Sequence, residues 1–308
     1  MPVVLKKKNA TRISEEQLFL VILNIILPVI FIVFVGYLWN RYNKDFNPAA
    51  ITKLVANIGL PCLIYDSLTR SNLNINIYFK IFFCAFLVLV IGFLFGYLLI
   101  KIFRFSSVKL ITPLMHPNTG NMGIPLSFLA FGNEGLALAA GFASIVMVSH
   151  FTVNTAISSG NYSIKKIIFS PVLLSLIFSL LILFYKIEMP NFFNSITKIL
   201  SGFVIPLVLL SLGISLSKIN IKKLRIGLML GIFKLISGPL IGLIVVYLLR
   251  LDGNVAKVVI LQASMPAAIL TYLIAAQNNS YEQEIGTAVF VSTIGSVVSI
   301  PIILLFLL

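Results

Sequence analysis

The feature that most constrains this chain is an unbroken succession of long apolar runs. Ten of them lie at about 17–39, 48–68, 77–103, 110–131, 135–158, 164–186, 191–216, 224–249, 255–277 and 283–308. Each is near the roughly 20 residues that a helix needs to cross a bilayer. The breaks between them are short and turn-rich or charged, as at Asn40-Arg41-Tyr42-Asn43-Lys44-Asp45 and Ser158-Ser159-Gly160-Asn161. No connection is long enough to hold a separate domain. Only 10% of the residues are charged, against 59% hydrophobic. A water-soluble fold so poor in charge could not cover its surface, whereas lipid demands an apolar exterior. The expected fold class is an all-α membrane protein with ten transmembrane helices, multi-pass in the cell membrane, with the lipid bilayer as its partner and residues 1–16 as an N-terminal tail.

The net charge of +14 opens three readings: nucleic acid, membrane surface or anionic substrate. Nucleic acid is excluded, because the basic residues form short clusters between apolar runs, such as Lys165-Lys166 and Lys222-Lys223, with no basic stripe interleaved with stacking aromatics. Such clusters mark cytoplasmic loops. Lys/Arg is denser after odd-numbered helices than after even-numbered ones, which favours both termini outside, although Lys6, Lys7, Lys8 and Arg12 in the tail oppose this. The apolar run after that tail is too long for a signal peptide and is taken as the first membrane helix. Cys62 and Cys84 fall inside apolar runs and read as small hydrophobes.

The runs also repeat. Gly59-Leu60-Pro61 in the second run matches Val204-Ile205-Pro206 in the seventh, and Pro117 aligned with Pro266 keeps the following turns and helices in step. Residues 17–160 thus form one five-helix repeat and 161–308 a second. Five is odd, so the halves insert with opposite orientation, a hallmark of secondary transporters.

The segment from Met115 to Leu126 reads MHPNTGNMGIPL. Pro117 and Pro125 remove backbone donors, and Gly120 and Gly123 loosen the chain, so an uninterrupted helix is not expected. Gln262-Ala263-Ser264-Met265-Pro266 is the equivalent weak point. Broken backbone survives in a membrane only where protein buries it or water reaches it. Two breaks in matching places point to a midplane site, where the amides of half-helix N-termini suit a carboxylate. Asn118 and Asn121 add side-chain donors, Pro117 and Pro266 hold the breaks, and Gln262 and Ser264 are expected in the pocket wall. The alternative is that these residues only kink helices for packing. Lys234 could attract an anion or snorkel to the interface. Lys53 reads as interfacial, and Asp66 as a partner for Arg70 one helical turn on. His116 could relay protons but more often a lone histidine there is structural, and His150 is the weaker of the two.

Enzymatic readings find no support. There is no G-x-x-x-x-G-K-[ST], no H-E-x-x-H and no metal-ligating cluster, so neither a cofactor nor a metal is expected. Ser149 and His150 are adjacent and point apart on a helix, unlike a nucleophile and its base.

The segment Pro117-Asn118-Thr119, with Met122-Gly123-Ile124-Pro125-Leu126 and Gly132, resembles the helix-four signature of the auxin efflux carrier family, which includes plant PIN-type carriers and bacterial malate or malonate permease-like proteins. Pro61, Pro206 with Gly213, Met265-Pro266 and the stretch from Ala288 to Pro301 extend the resemblance over nearly the whole chain. It implies two inverted five-helix repeats, with helices four and nine crossing at their proline breaks. It further implies a substrate carboxylate at the position of Asn118, and transport by an elevator-like shift of the crossing bundle. Near the start of helix three, where plant members place a carboxylate four residues before a lysine, this chain has Asn76 and Lys80; that puts proton coupling through such a group in doubt. The resulting expectation is a secondary transporter of a small organic anion, with a homodimer as the open question of assembly. Competing readings are a sodium-coupled organic-anion symporter of the bile-acid type and a membrane receptor that binds without transporting.

Overall fold

The computed structural model describes residues 15–43, 48–71, 73–160, 168–219, 221 and 224–308. The tail cluster Lys6 to Arg12 and the loop lysines Lys44, Lys165, Lys166, Lys222 and Lys223, on which the expected orientation rests, lie outside the described residues. Among the described residues there is no β-strand, only a single antiparallel bridge between Pro117 and Ala267.

In chain order the helices are α1 (Glu15–Tyr42), α2 (Pro48–Leu54), α3 (Leu60–Arg70), α4 (Ile75–Ile102), α5 (Thr112–Met115), α6 (Ile124–Ser149), α7 (Thr155–Ser159), α8 (Pro171–Tyr185), α9 (Asn191–Gly202), α10 (Val204–Lys218), α11 (Leu224–Leu249), α12 (Gly253–Ala263), α13 (Ile269–Gln277) and α14 (Glu282–Leu307). π-helical turns at Val55–Gly59, Thr119–Gly123 and His150–Asn154 join α2 to α3, lead into α6 and join α6 to α7. Such turns often accompany functional positions in helices.

Each apolar run is largely helical where it is described. Among the described residues, six helical stretches are long and apolar enough to cross a membrane: 16–42, 75–102, 119–159, 191–218, 225–249 and 282–307. The 119–159 stretch holds two of the expected helices, because the chain turns sharply at Gly132, whose φ of 64° glycine alone adopts without strain. The fourth and ninth runs are broken short of span length by Pro117 and Pro266, which leave α5 and α12 as half-helices ending at the breaks.

Packing brings the helices together in matching pairs. α1 lies on α10 and α8 on α3; α4 packs on α6 and α11 on α14; α5 sits against α4 and α12 against α11. Small residues permit the last two contacts. Gly92 and Gly96 of α4 face Leu114 and Met115, and Gly238 and Gly242 of α11 face Ala263 and Ile260. This i, i+4 glycine spacing lets helix backbones approach closely in lipid. The outward faces are apolar, with Phe31, Phe83, Phe184 and Phe306 exposed.

Candidate functional site

At the two breaks the chain leaves helical geometry, and the extended segments cross. The Asn118 amide donates to the Pro266 carbonyl at 2.8 Å, and the Ala268 amide donates to the His116 carbonyl at 3.0 Å. The prolines have removed donors from both ladders, and the segments repair part of the loss by bonding to each other. The Ala267 amide is satisfied separately, by Ser292 Oγ at 3.1 Å.

Beyond the crossing, two half-helices begin. In the first, the Thr119 amide turns back to the Pro117 carbonyl, and those of Met122 and Gly123 reach the Asn118 carbonyl. The amides of Gly120 and Asn121 remain, as first-turn donors do. In the second, Ala268 is bonded to His116 and the Thr271 amide to Ala268, which leaves those of Ile269 and Leu270. All four residues line one cavity of about 80 Å³, together with Pro117, Asn118 and Thr119. At roughly 10–15 Å³ per water in this measure, the cavity has room for about six waters, the bulk of a small organic acid. Two helix N-termini aimed at one cavity give it a positive potential without a charged side chain.

Asn118 is 3% exposed, and its Nδ2 finds no acceptor. A buried amide donor without a partner is costly, and Asn118 carries this one beside a cavity that its residue lines. The rest of the wall is Val55, Ala56, Leu60, Val208, Leu273, Met147 and Phe151, with Ser211, Ser215 and His150. Among the described residues, no lysine or arginine lines it.

The structure separates the residues proposed from sequence. Asn118, Pro117, Asn121 and Gly120 come together on the cavity wall. Gln262, Ser264 and Pro266 do not line it. Gln262 is fully buried, its Nε2 donating to Ser127 Oγ at 2.9 Å and its amide packed on Gly123. Ser264 Oγ turns back to the Ile260 carbonyl at 2.6 Å. Pro266 contributes its carbonyl to the crossing, and Pro125 opens α6. Asn76 and Lys80 are exposed near the start of α4 and stand apart from the cavity.

Lys234 corrects the snorkelling alternative. It is 1% exposed, and its Nζ donates to the Leu114 carbonyl at 3.3 Å. It lies roughly 14 Å along the helix from Arg225, further than a side chain reaches toward the interface. Its Nζ instead meets the Leu114 carbonyl near the C-terminal end of α5. His116 holds the same helix end: its Nδ1 is 3.1 Å from the Thr112 carbonyl and its Nε2 3.0 Å from Ser149 Oγ. Asp66 pairs with Arg70.

His150 is the cavity residue that sequence reasoning undervalued. It is 3% exposed, stacks on His116 with centroids 4.4 Å apart, and takes a hydrogen bond at Nδ1 from Asn154 Nδ2 at 3.2 Å. The signal was available in His150, Asn154 and Ser158, three polar residues at i, i+4 spacing near the end of the fifth run.

Comparison with known proteins agrees with this architecture. The profile of the membrane transport protein family matches residues 21–158 and again 151–304, so each half matches separately. An uncharacterized transporter of Methanocaldococcus jannaschii is 26% identical over 301 residues, covering 91% of this chain and 97% of the relative. An uncharacterized transporter of Methanothermobacter thermautotrophicus is 28% identical over 296 residues, covering 90% of this chain and 95% of the relative. Auxin efflux carrier component 6 of Arabidopsis thaliana is 29% identical over 140 residues, which is 44% of this chain and 24% of the plant protein. With most of its length matched, and with transporters among its relatives, the chain belongs to the membrane transport protein family, that of the auxin efflux carriers, and is a membrane transporter rather than an enzyme.

Proposed function

We propose that the chain is a secondary transporter of small organic carboxylates, and that the carboxylate binds in the cavity at the crossing. The observation that supports this reading is that Gly120, Asn121, Ile269 and Leu270, whose amides stand in the first turns of two half-helices, line one cavity with Asn118, whose buried Nδ2 has no partner beside it. Five neutral donors around a small cavity suit an anion that needs orientation as well as charge compensation. The apolar wall beyond them suits the carbon body of the acid.

Ten spans in two inverted repeats fit the matching helix pairs, which map onto one another when helices one to five are exchanged for six to ten. The same symmetry supports an elevator-like movement. α1, α2, α3, α8, α9 and α10 would stand as the scaffold, and the elements around the crossing would carry the anion past it. Placement in the plasma membrane, both termini outside and assembly as a homodimer complete the proposal.

The test has two stages. Purified protein is screened by thermal shift against mono- and dicarboxylates, where a ligand of the folded state raises the melting temperature by mass action. A hit is then followed by counterflow in proteoliposomes. Stabilisation with counterflow supports transport. Stabilisation without counterflow replaces the proposal with a receptor, and counterflow that requires sodium replaces it with a sodium-coupled symporter.

A further inference from the structure

Among the described residues, no lysine or arginine lines the cavity proposed to take a carboxylate. A carboxylate moved there from water would bring a negative charge into a low-dielectric interior with only dipoles to meet it. One side chain on the wall can change that, His150. We propose that His150 is a proton-binding site coupled to the anion, so that the transporter carries one proton with each carboxylate. This inference rests on the carboxylate reading of the cavity.

Three observations support it. First, His150 and Asn118 line the same cavity. An amide nitrogen donates and does not accept, so the hydrogen bond from Asn154 Nδ2 to His150 Nδ1 leaves the ring proton on Nε2. Nδ1 is spoken for, and Nε2 is the nitrogen left to the cavity.

Second, the support behind the ring can serve both protonation states. Asn154 Oδ1 accepts from Ser158 Oγ at 3.4 Å. When a proton from solvent adds to the imidazole lone pair, Nδ1 becomes a donor. Rotating the Asn154 amide by half a turn then presents Oδ1 to it and turns Nδ2 toward Ser158, whose hydroxyl oxygen can accept. The Ser158 hydroxyl, which donated to Oδ1 before the turn, becomes the acceptor and its hydrogen reorients. A leucine or alanine at either position would offer neither arrangement.

Third, the surroundings leave the counter-charge to the substrate. The group stacked on His150 is His116, and its Nδ1 donates to a carbonyl while its Nε2 meets Ser149. Behind His116 lies Lys234, held by the Leu114 carbonyl. Lys109 binds the Ser158 carbonyl at the far end of the same polar stripe. On the half-helix packed against this turn, Tyr272 faces Gly286, and on α6, Glu134 bonds Asn254 at the opposite end. Among the described residues no carboxylate faces either histidine. A buried imidazolium needs an anion beside it and a buried carboxylate needs a cation, so each favours the other. By linkage, the proton and the anion then strengthen each other's binding by the same factor.

The experiment is titration calorimetry of the full-length protein in nanodiscs with benzoate, in two buffers of different ionisation enthalpy at each of several pH values between about 6 and 8. The expected result for the wild type is uptake of close to one proton per benzoate in the part of the range where the ring is neutral before binding. There Kd falls about tenfold for each pH unit lowered. His150→Gln keeps a donor at the same place but cannot titrate, so its Kd no longer varies with pH and it takes up no proton. His116→Gln keeps the uptake. Benzoate binding by the wild type with no proton uptake overturns the proposal while leaving the carboxylate site standing, and needs no variant to fold. Uptake persisting in His150→Gln also overturns it. If no acid of the thermal-shift series binds at all, the carboxylate reading fails and this inference falls with it.

Discussion

The two crossing segments pair through their backbones in the same way and carry different side chains. Each breaks at a proline, gives an amide to the other across the crossing and restarts as a half-helix with two first-turn amides on the cavity. The first segment adds Asn118, Thr119 and Asn121. The second adds Ala268, Ile269 and Leu270. The repeated part is the backbone, and it places an anion by dipoles alone. The part that differs can recognise the anion, and it lies on one half. On the proposed reading, substitutions in the first segment therefore act on binding, while the second segment tolerates side-chain changes that spare its backbone.

The largest expected effect is at Asn118. Asn118→Asp puts a carboxylate at a 3% exposed position, facing the bound anion across the cavity. The like charge and the lost donor act together, and affinity for the best acid of the screen is expected to fall by more than about 100-fold. Asn118→Ala removes only the donor. A charge-assisted hydrogen bond is worth roughly 1.5–3 kcal/mol, so affinity should fall about 10- to 100-fold at 1.4 kcal/mol per decade. Direct binding measures both, with thermal unfolding as a control for folding. If both variants bind as the wild type does, recognition does not reside in the first segment and the comparison above is wrong.

Two glycines of that segment sharpen it further. A Cβ on Gly120 would have only the terminal methyl of Met147 nearby, at 3.8 Å, whereas one on Gly123 would collide with the buried Gln262 amide. Gly123→Ala is expected to lower stability by about 1–3 kcal/mol through overpacking. Gly120→Ala is expected to leave stability unchanged and to weaken binding by filling part of the cavity. Unfolding in detergent and direct binding separate the two. Equal losses of stability would mean that the crossing is packed equally tightly on both sides.

The breaks were legible in the sequence because their cause is local: Pro117 stands among glycines and polar residues and Pro266 close after Gln262 and Ser264, whereas Pro28, Pro239 and Pro301, set in apolar runs, lie inside continuous helices. The existence of the helices was legible for a similar reason, since apolar length is a property of the chain itself. Which way a side chain faces beside a break was not. Gln262 and Ser264 stand at the end of α12, ahead of Pro266; periodicity assigns them a helix face but not the neighbour across it, and tertiary packing turned both away from the cavity. His150 was obscured differently. Its importance comes from His116, over thirty positions earlier, and from cavity residues on α10 and α13. Lys234 was ambiguous between depth and surface until the Leu114 carbonyl was seen to receive it.

The smallest expected effect, at Ser264, tests the comparison from the other side. Ser264 occupies the second segment close to its proline and is the kind of residue a binding site uses. Its hydroxyl, however, is 1% exposed and bonded to the Ile260 carbonyl at 2.6 Å. That carbonyl also accepts the backbone amide of Ser264 at 3.0 Å. Ser264→Ala therefore leaves no acceptor without a donor, and a hydrogen bond lost in this way changes stability by no more than about 1 kcal/mol. Nothing in the cavity loses a partner, so affinity for the acid should stay within about twofold of the wild type. Measured beside Asn118→Ala under the same conditions, the variant gives a ratio. A large ratio keeps recognition on the first segment. A ratio near one, with both variants weakened, would mean that the second segment presents Ser264 to the substrate in a conformation other than this one, and that the halves share recognition as they share their backbone.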